Sequence, residues 1–284
     1  MCNNSDQAKG IFELMCKNGN DVMDSPVVSI IISALNCKDK IVNTLRSIAD
    51  ADNKMAIEII VVDGGSIDGT QEAVTYFSDD VPITLVSEVD EGIYDAWNKG
   101  VNLAKGEWIF FLGAGDLLMP GWVDFLVGLE RSDAQIIYGN LLIDFDGKRM
   151  LKTSIDWSDA KLLLPYEMSI PHVGLAHHKS VFQNNIFDIS YKIIGDWEFM
   201  SRDHIVKGMY MPTLVQAVME MGAGISNAPS RVDEQYRELN QCFHSRGNLM
   251  PCRLRLKWAI KRAMSMFPWF YRSLQVAYWR LKCK

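Results

Sequence analysis

The chain has 284 residues, enough for one large α/β domain with an appendage, and its 48% hydrophobic and 23% charged residues are those of an ordinary globular protein. A net charge of −6 argues against a nucleic-acid binder, yet nine of the 29 Lys and Arg lie in residues 251–284, which carry no Asp or Glu. An acidic body with a basic tail points to a tail that meets an anionic surface.

The six cysteines are Cys2, Cys16, Cys37, Cys242, Cys252 and Cys283. None forms a C-x-x-C pair, so they read as reduced thiols of a cytoplasmic protein. Residues 1–24 are polar and read as an extension without a secretory signal. No run approaches the roughly 20 apolar residues of a membrane-spanning helix.

From residue 27 a strand–helix rhythm begins. The run VVSIIIS at 27–33 is β-branched and continuous, the mark of a strand covered on both faces. A helix is predicted over 38–49, with Ile41, Leu45 and Ile48 at helical spacing. IEIIVV at 57–62 is a second buried strand. Asp63-Gly64-Gly65-Ser66 ends it, and Asp68 can cap a helix running to about residue 77. A third strand follows at 83–86, a helix at 93–104, and a fourth strand, WIFFL, at 108–112. Such alternation implies an α/β fold with a mainly parallel sheet and helices on both faces, ligands lying at the carboxyl ends of the strands. Beyond residue 116 the rhythm loosens. A helix is expected over 121–129, a strand at 136–138, a hairpin over 141–151 around Asp146-Gly147, irregular chain over 152–195, and a helix over 196–207.

Three loops follow strands expected to lie side by side. The first contains Ser33 and Asn36. The second contains Asp63 and Ser66; its glycines let backbone approach a ligand, and the Asp63 carboxylate can accept hydrogen bonds from a base or ribose. Ordinary turn chemistry explains the same spacing. The third is Gly113-Ala114-Gly115-Asp116. A lone carboxylate closing an apolar strand suits Mg²⁺ or Mn²⁺, which leave other positions to substrate phosphates; a plain strand-end turn is the alternative.

VSIIISALN, EIIVVDGGSIDGT and SEVDEGIYDAWNKGVNLAKGEWIFFLGAGD, in this order, resemble the family 2 glycosyltransferases, and within them the bacterial cell-surface polysaccharide branch. The resemblance spans about residues 27–207. It implies a GT-A (Rossmann-like) fold, an inverting mechanism and a nucleotide-sugar donor, UDP-linked by resemblance alone. Matched position by position, Asp63 corresponds to the acid that helps hold the base, and Asp116 to the last acid of the D-x-D metal motif. Ala114 stands where many relatives have the first acid. Asp95, Asn98 and Lys99 lie at i, i+3 and i+4 and share a helical face that can meet the diphosphate or donor sugar. Gly195-Asp196-Trp197-Glu198 matches the segment that supplies the catalytic base; Asp196 is the first choice and Glu198 the reserve, with capping of a helix as the structural alternative for Asp196. His172 matches a position on the acceptor side.

The resulting division is an extension at 1–24, a GT-A domain at 25–210 (nucleotide half to about 116, acceptor half beyond), a connecting segment at 211–250, and a basic amphipathic tail at 251–284. In the tail, Leu256, Ile260, Met264 and Phe267 form one apolar stripe, and Phe270, Leu274, Ala277 and Leu281 a second after Pro268. A membrane interface suits such helices, and packing on the domain or homodimerisation are alternatives. The expectation is a cytoplasmic protein peripheral to the inner face of the membrane, acting on a saccharide or lipid-linked acceptor. A non-catalytic nucleotide-sugar-binding subunit is the rival reading.

Overall fold

The computed structural model describes residues 25–278, apart from 52, 54–55, 78–81, 130–131, 146, 222–227, 268–270, 272 and 274. The expected extension at 1–24, Asp146 of the hairpin, and Phe270, Leu274 and Leu281 of the second tail stripe lie outside the described residues.

The four apolar runs become four parallel strands. β1 (Val28–Ala34) lies between β2 (Ile57–Asp63) and β4 (Trp108–Gly113), and β3 (Ile83–Ser87) flanks β2. Helices α1 (Lys38–Ala49), α2 (Thr70–Tyr76) and α3 (Ile93–Leu103) connect them. Successive side chains of a strand point to opposite faces. Ile30 and Ile32 of β1 therefore join one core with Ile41, Leu45 and Ile48 of α1, whereas Ile31 joins the opposite core with Tyr94, Ala96 and Trp97 of α3. Two covered faces are what the unbroken apolar runs require. At Gly100 helix α3 crosses β1 so closely that a Cβ would stand 2.5 Å from Ile31 Cγ2, a distance only glycine tolerates.

Beyond β4 come β5 (Leu117–Leu118), α4 (Trp122–Val127), β6 (Ile136–Phe145), β7 (Lys148–Lys152), α5 (Trp157–Leu163), β8 (Ala176–His178), α6 (Gly195–Met200) and β9 (Gly208–Met221). Among the described residues nine strands form one sheet of order β3-β2-β1-β4-β8-β6-β9-β5, with β7 also paired to β6. The short β8 runs antiparallel to both β4 and β6 and so joins the two halves.

The second half differs from the sequence expectation in several places. The hairpin forms where expected, from Leu141 paired with Lys152 to Phe145 paired with Lys148, but its first strand is longer than the expected 136–138 and runs unbroken over 136–145. The helix expected over 196–207 stops at Met200, because the chain turns to pair with β6: Gln135 N–H and Ile136 N–H both donate to the Lys207 carbonyl. Residues 152–195 hold α5, β8 and a 3₁₀ turn at Lys179–Phe182. The boundary expected at 210 falls inside β9, and the segment expected to connect contains α7 (Val232–Ser245), whose Val232, Leu239, Cys242 and Phe243 enter the core. Helix α8 (Cys252–Ser265) follows and packs beside α7 through the buried Trp258.

Candidate active site

The strand registers bring the sequence-predicted loops to one edge. Ser33 pairs with Gly113, Ala34 with Asp63, and Asp63 with Ser87, so β1 to β4 end level. The first two loops are tied together. Asn36 has φ 47°, a left-handed conformation that Asn adopts more readily than most residues; its N–H donates to Ser66 Oγ at 2.8 Å and its Oδ1 accepts from Ile67 N–H at 3.0 Å. Lys38 N–H donates to Asp68 Oδ2 at 3.1 Å, and Asp68 Oδ1 accepts from Thr70 N–H at 3.0 Å; the N-cap position of α2 is Gly69, with Asp68 one residue ahead of it. Asp63 is fully buried. Its carboxylate accepts from Ser66 N–H at 3.0 Å, from Ser66 Oγ, and from Ser87 Oγ at 2.7 Å. Burial pushes its pKa up, but the bonds from Ser66 and Ser87 outweigh this and hold the carboxyl below its ordinary value.

Helix α3 divides the three polar residues expected on one ligand-facing surface. Lys99 sits between Glu88 at 2.8 Å and Asp95 at 3.1 Å, and Asp95 also accepts from Glu91 N–H. Asn98 turns to the acceptor half. Its Nδ2 donates to the Phe187 carbonyl and its Oδ1 accepts from Phe187 N–H, both at 2.9 Å. The structure thus brings Asp95 and Lys99 together, while Asn98 clasps the chain leading to Asp188.

At the end of β4, Asp116 Oδ2 accepts from Gly113 N–H at 2.9 Å and Oδ1 from Glu220 N–H at 3.1 Å. Burial raises its pKa to about 6, with the two amides opposing. Glu220, at the end of β9, lies alongside: its carboxylate would stand 2.5 Å from a Cβ on Gly115, and it pairs with Lys40 at 2.5 Å. Carboxylates that bind metals are themselves hydrogen-bonded, a feature Asp116 shares. No cluster of three or more His, Cys, Asp or Glu that could hold a metal occurs among the described residues, so substrate oxygens would have to complete the coordination.

Asp196 and Glu198 open α6 in different states. Asp196 Oδ1 accepts from the Tyr94 hydroxyl at 3.1 Å and from Trp197 N–H at 2.9 Å, which leaves Oδ2 to an incoming group. Burial raises the Asp196 pKa above its ordinary value against the pull of those bonds. Glu198 is committed: Arg202 reaches both its oxygens, with Nε at 3.0 and 3.1 Å and Nη2 at 2.6 Å. Both Glu198 oxygens are thus taken up by a bidentate guanidinium. His172 is buried in an aromatic stack, 5.1 Å from the Trp97 ring and 5.4 Å from that of Phe111. Burial lowers its pKa to about 3, so the imidazole is neutral.

Sequence reasoning missed Tyr94 and Glu238. Glu238, buried on α7, accepts from Lys192 N–H at 2.7 Å and from Ile193 and Ile194 N–H at 3.0 Å each, holding the chain just ahead of Asp196. The available signal was an acid on an apolar helical face, beside Leu239 and one turn before Cys242.

Comparisons with known proteins bear on the family and the fold. Residues 29–187 match the family described as "Glycosyl transferase family 2". A "PGL/p-HBAD biosynthesis glycosyltransferase" of Mycobacterium bovis (strain BCG / Pasteur 1173P2) is 30% identical over 226 residues, covering 75% of this chain and 84% of its own. "Succinoglycan biosynthesis protein ExoO" of Rhizobium meliloti (strain 1021) is 29% identical over 150 residues, covering 51% and 41%. Among solved structures, S. aureus TarS 1-349 in complex with UDP-GlcNAc superposes with a TM-score of 0.60 at 14% identity, covering 76% of this chain and 66% of that one. This chain spans 39% of another TarS structure. The mannosyltransferase PcManGT from Pyrobaculum calidifontis, in complex with GDP-Man and Mn2+, gives 0.57 at 19% identity, covering 95% and 81%. At these identities the structural likeness establishes the GT-A fold. With the family match over more than half its length, the chain belongs to glycosyltransferase family 2 and is an enzyme that uses a nucleotide sugar.

Proposed function

We propose that the protein is an inverting glycosyltransferase that moves a sugar from a UDP-linked donor to a hydroxyl of a saccharide, lipid-linked in polysaccharide assembly. The observation that carries the reading is the state of Asp196: an enclosed carboxylate with raised pKa and one oxygen left for a substrate, while Glu198 is bound to Arg202. The acceptor oxygen attacks the anomeric carbon as the bond to the diphosphate breaks, and the acceptor proton passes to Asp196 Oδ2. Asp63, Ser66, Ser33 and Asn36 shape the nucleotide end, with the Asp95–Lys99 pair beside it. Asp116 would hold Mg²⁺ or Mn²⁺, which when bound supplies positive charge to the departing diphosphate. UDP is favoured by the UDP-GlcNAc complex of TarS, and a divalent ion by the Mn2+ complex of PcManGT.

Membrane association supports a lipid-linked acceptor. No helix among the described residues is long and apolar enough to cross a membrane. Leu256 and Ile260 on α8, and Phe267 just beyond its end, are however 64%, 53% and 57% exposed, with exposed Arg253 and Lys257 alongside. We read this as a peripheral contact with an anionic leaflet at the cytoplasmic side.

Asp196→Asn, assayed for transfer and for release of free nucleotide from a panel of UDP- and GDP-sugars, should bind donor as wild type and lose about 10²–10⁴ in turnover. Glu198→Gln should stay within a few-fold. Reversal of the two variants would move the base to Glu198. EDTA should suppress turnover and Mn²⁺ restore it. A wild-type protein that binds donor but releases no nucleotide would return the binding-subunit reading.

A further inference from the structure

We propose that Asp196 is positioned and tuned by two residues outside its own segment: Tyr94, whose hydroxyl donates to Oδ1, and Glu238, whose carboxylate gathers the three amides leading into α6. This rests on the reading of Asp196 as the general base.

Tyr94 is built in from three sides. Its ring stacks on Phe187 at 5.8 Å and meets Trp97 edge-on at 5.3 Å. On the third side is Gly195, where a Cβ would come within 2.7 Å of the ring. Only glycine before Asp196 lets the ring lie that close, so the Tyr94–Gly195 contact fixes the spacing between α3 and the first turn of α6. Burial first, then the negative charge of Asp196, raises the Tyr94 pKa well above its ordinary value, so the hydroxyl stays a donor at any working pH. A hydrogen bond donated to the charged form of an acid favours that form. Tyr94 therefore opposes the effect of burial on Asp196.

Glu238 acts from the far side. It is 6% exposed, and the bonds it accepts come from three consecutive backbone N–H groups, Lys192 to Ile194. A buried carboxylate is tolerated only when its oxygens are satisfied. The three amides in turn have their direction fixed by one rigid acceptor on α7. Tyr94 thus holds Asp196 Oδ1 from one side, and Glu238 holds the chain entering α6 from the other.

Few other charged groups can account for a titration shift. On α6 Glu198 is bound to Arg202, and on α3 Asp95 is bound to Lys99. The Lys192 ammonium is bound to the carbonyls of Glu91 and Ile189. Glu238 faces Tyr94 from α7.

The test is the titration of Asp196 itself, followed by ¹³C NMR in full-length protein labelled at the aspartate carboxyls, with its resonance assigned by loss in Asp196→Asn. Tyr94→Phe keeps the ring and removes one oxygen. It should raise the Asp196 pKa by about one unit, move the acid limb of the turnover–pH profile up equally, and leave donor KM unchanged. An Asp196 resonance that titrates as in wild type would overturn the role of Tyr94. Glu238→Gln puts an NH₂ against amide donors and should lower kcat about tenfold at constant donor KM; should it not fold, Glu238→Asp, which keeps the charge but shortens the reach, is expected to lower kcat in the same way. Wild-type kcat in the folded variant overturns the role of Glu238 as a positioning residue. Failure of the underlying reading looks different: Asp196→Asn would itself turn over like wild type, whatever Tyr94→Phe does to the resonance.

Discussion

Asp196 and Asp63 are both enclosed acids, and their surroundings push them in opposite directions. The folded-state pKa of Asp63 is depressed, so it contributes stability that is present above the unfolded value of about 3.9 and is lost as pH falls through its lower folded value. The pKa of Asp196 is raised, so its ionised form costs stability at neutral pH, and that cost disappears as pH falls through the folded value toward the unfolded one. Asp196→Asn should therefore melt higher than wild type at pH 7, on the order of 2 °C, with the difference closing toward pH 4. In the role proposed for Asp196, this would be the usual trade of stability for activity. Scanning calorimetry at the two pH values checks the sign; a lower melting temperature at pH 7 would show that Asp196 serves the helix start instead.

Helix α8 shows how one element serves two surroundings. Its inward side buries Trp258, with the Lys261 ammonium 4.2 Å over the ring, and Leu254 and Met264 pack against the same core. Arg262 reaches Asp233 on α7 and Lys261 reaches Gln235. Its outward side carries Leu256 and Ile260, and the exposed Phe267 follows just past its end. The stripe read from the sequence thus mixed the two sides, since Met264 belongs to the inner one. The element can be tested one side at a time. Trp258→Ala should cost about 3–5 kcal/mol in denaturant unfolding, as a large buried aromatic does. The triple change Leu256→Ser, Ile260→Ser, Phe267→Ser should leave folding and donor turnover intact and abolish sedimentation with anionic liposomes. Sedimentation that survives the triple change would remove the membrane role from this face.

At the scale of the whole molecule, the nucleotide half and the acceptor half share both cores and are tied further by specific contacts. β8 bridges β4 and β6, Asn98 clasps Phe187, Tyr94 reaches Asp196, and Glu238 of α7 holds 192–194. Asn98, expected at the donor diphosphate, has its amide bound on both sides to backbone. Asn98→Ala would leave a partly buried N–H and C=O of Phe187 without partners, at a cost of about 2–4 kcal/mol. Because the clasp joins the halves, kcat should fall more than donor affinity. A variant that loses donor binding first would return Asn98 to the nucleotide site.

The sequence by itself determined the nucleotide half. Strands β1, β2 and β4 are continuous apolar runs covered on both faces, their helices carry local periodicity, and Asp63 and Asp116 stand in short motifs that are legible without neighbours. Only the tertiary structure decided the second half. The Lys207 carbonyl pairs with Gln135 and Ile136, so a helix ends and β9 begins where local propensity gives no signal. Glu238 meets its three amides across more than 40 residues, and Tyr94 meets Asp196 across 102. A carboxylate's role depends on which donors and charges surround it in space, so Glu198 and Asp196, two residues apart and alike in sequence, separate only once Arg202 and Tyr94 are in place.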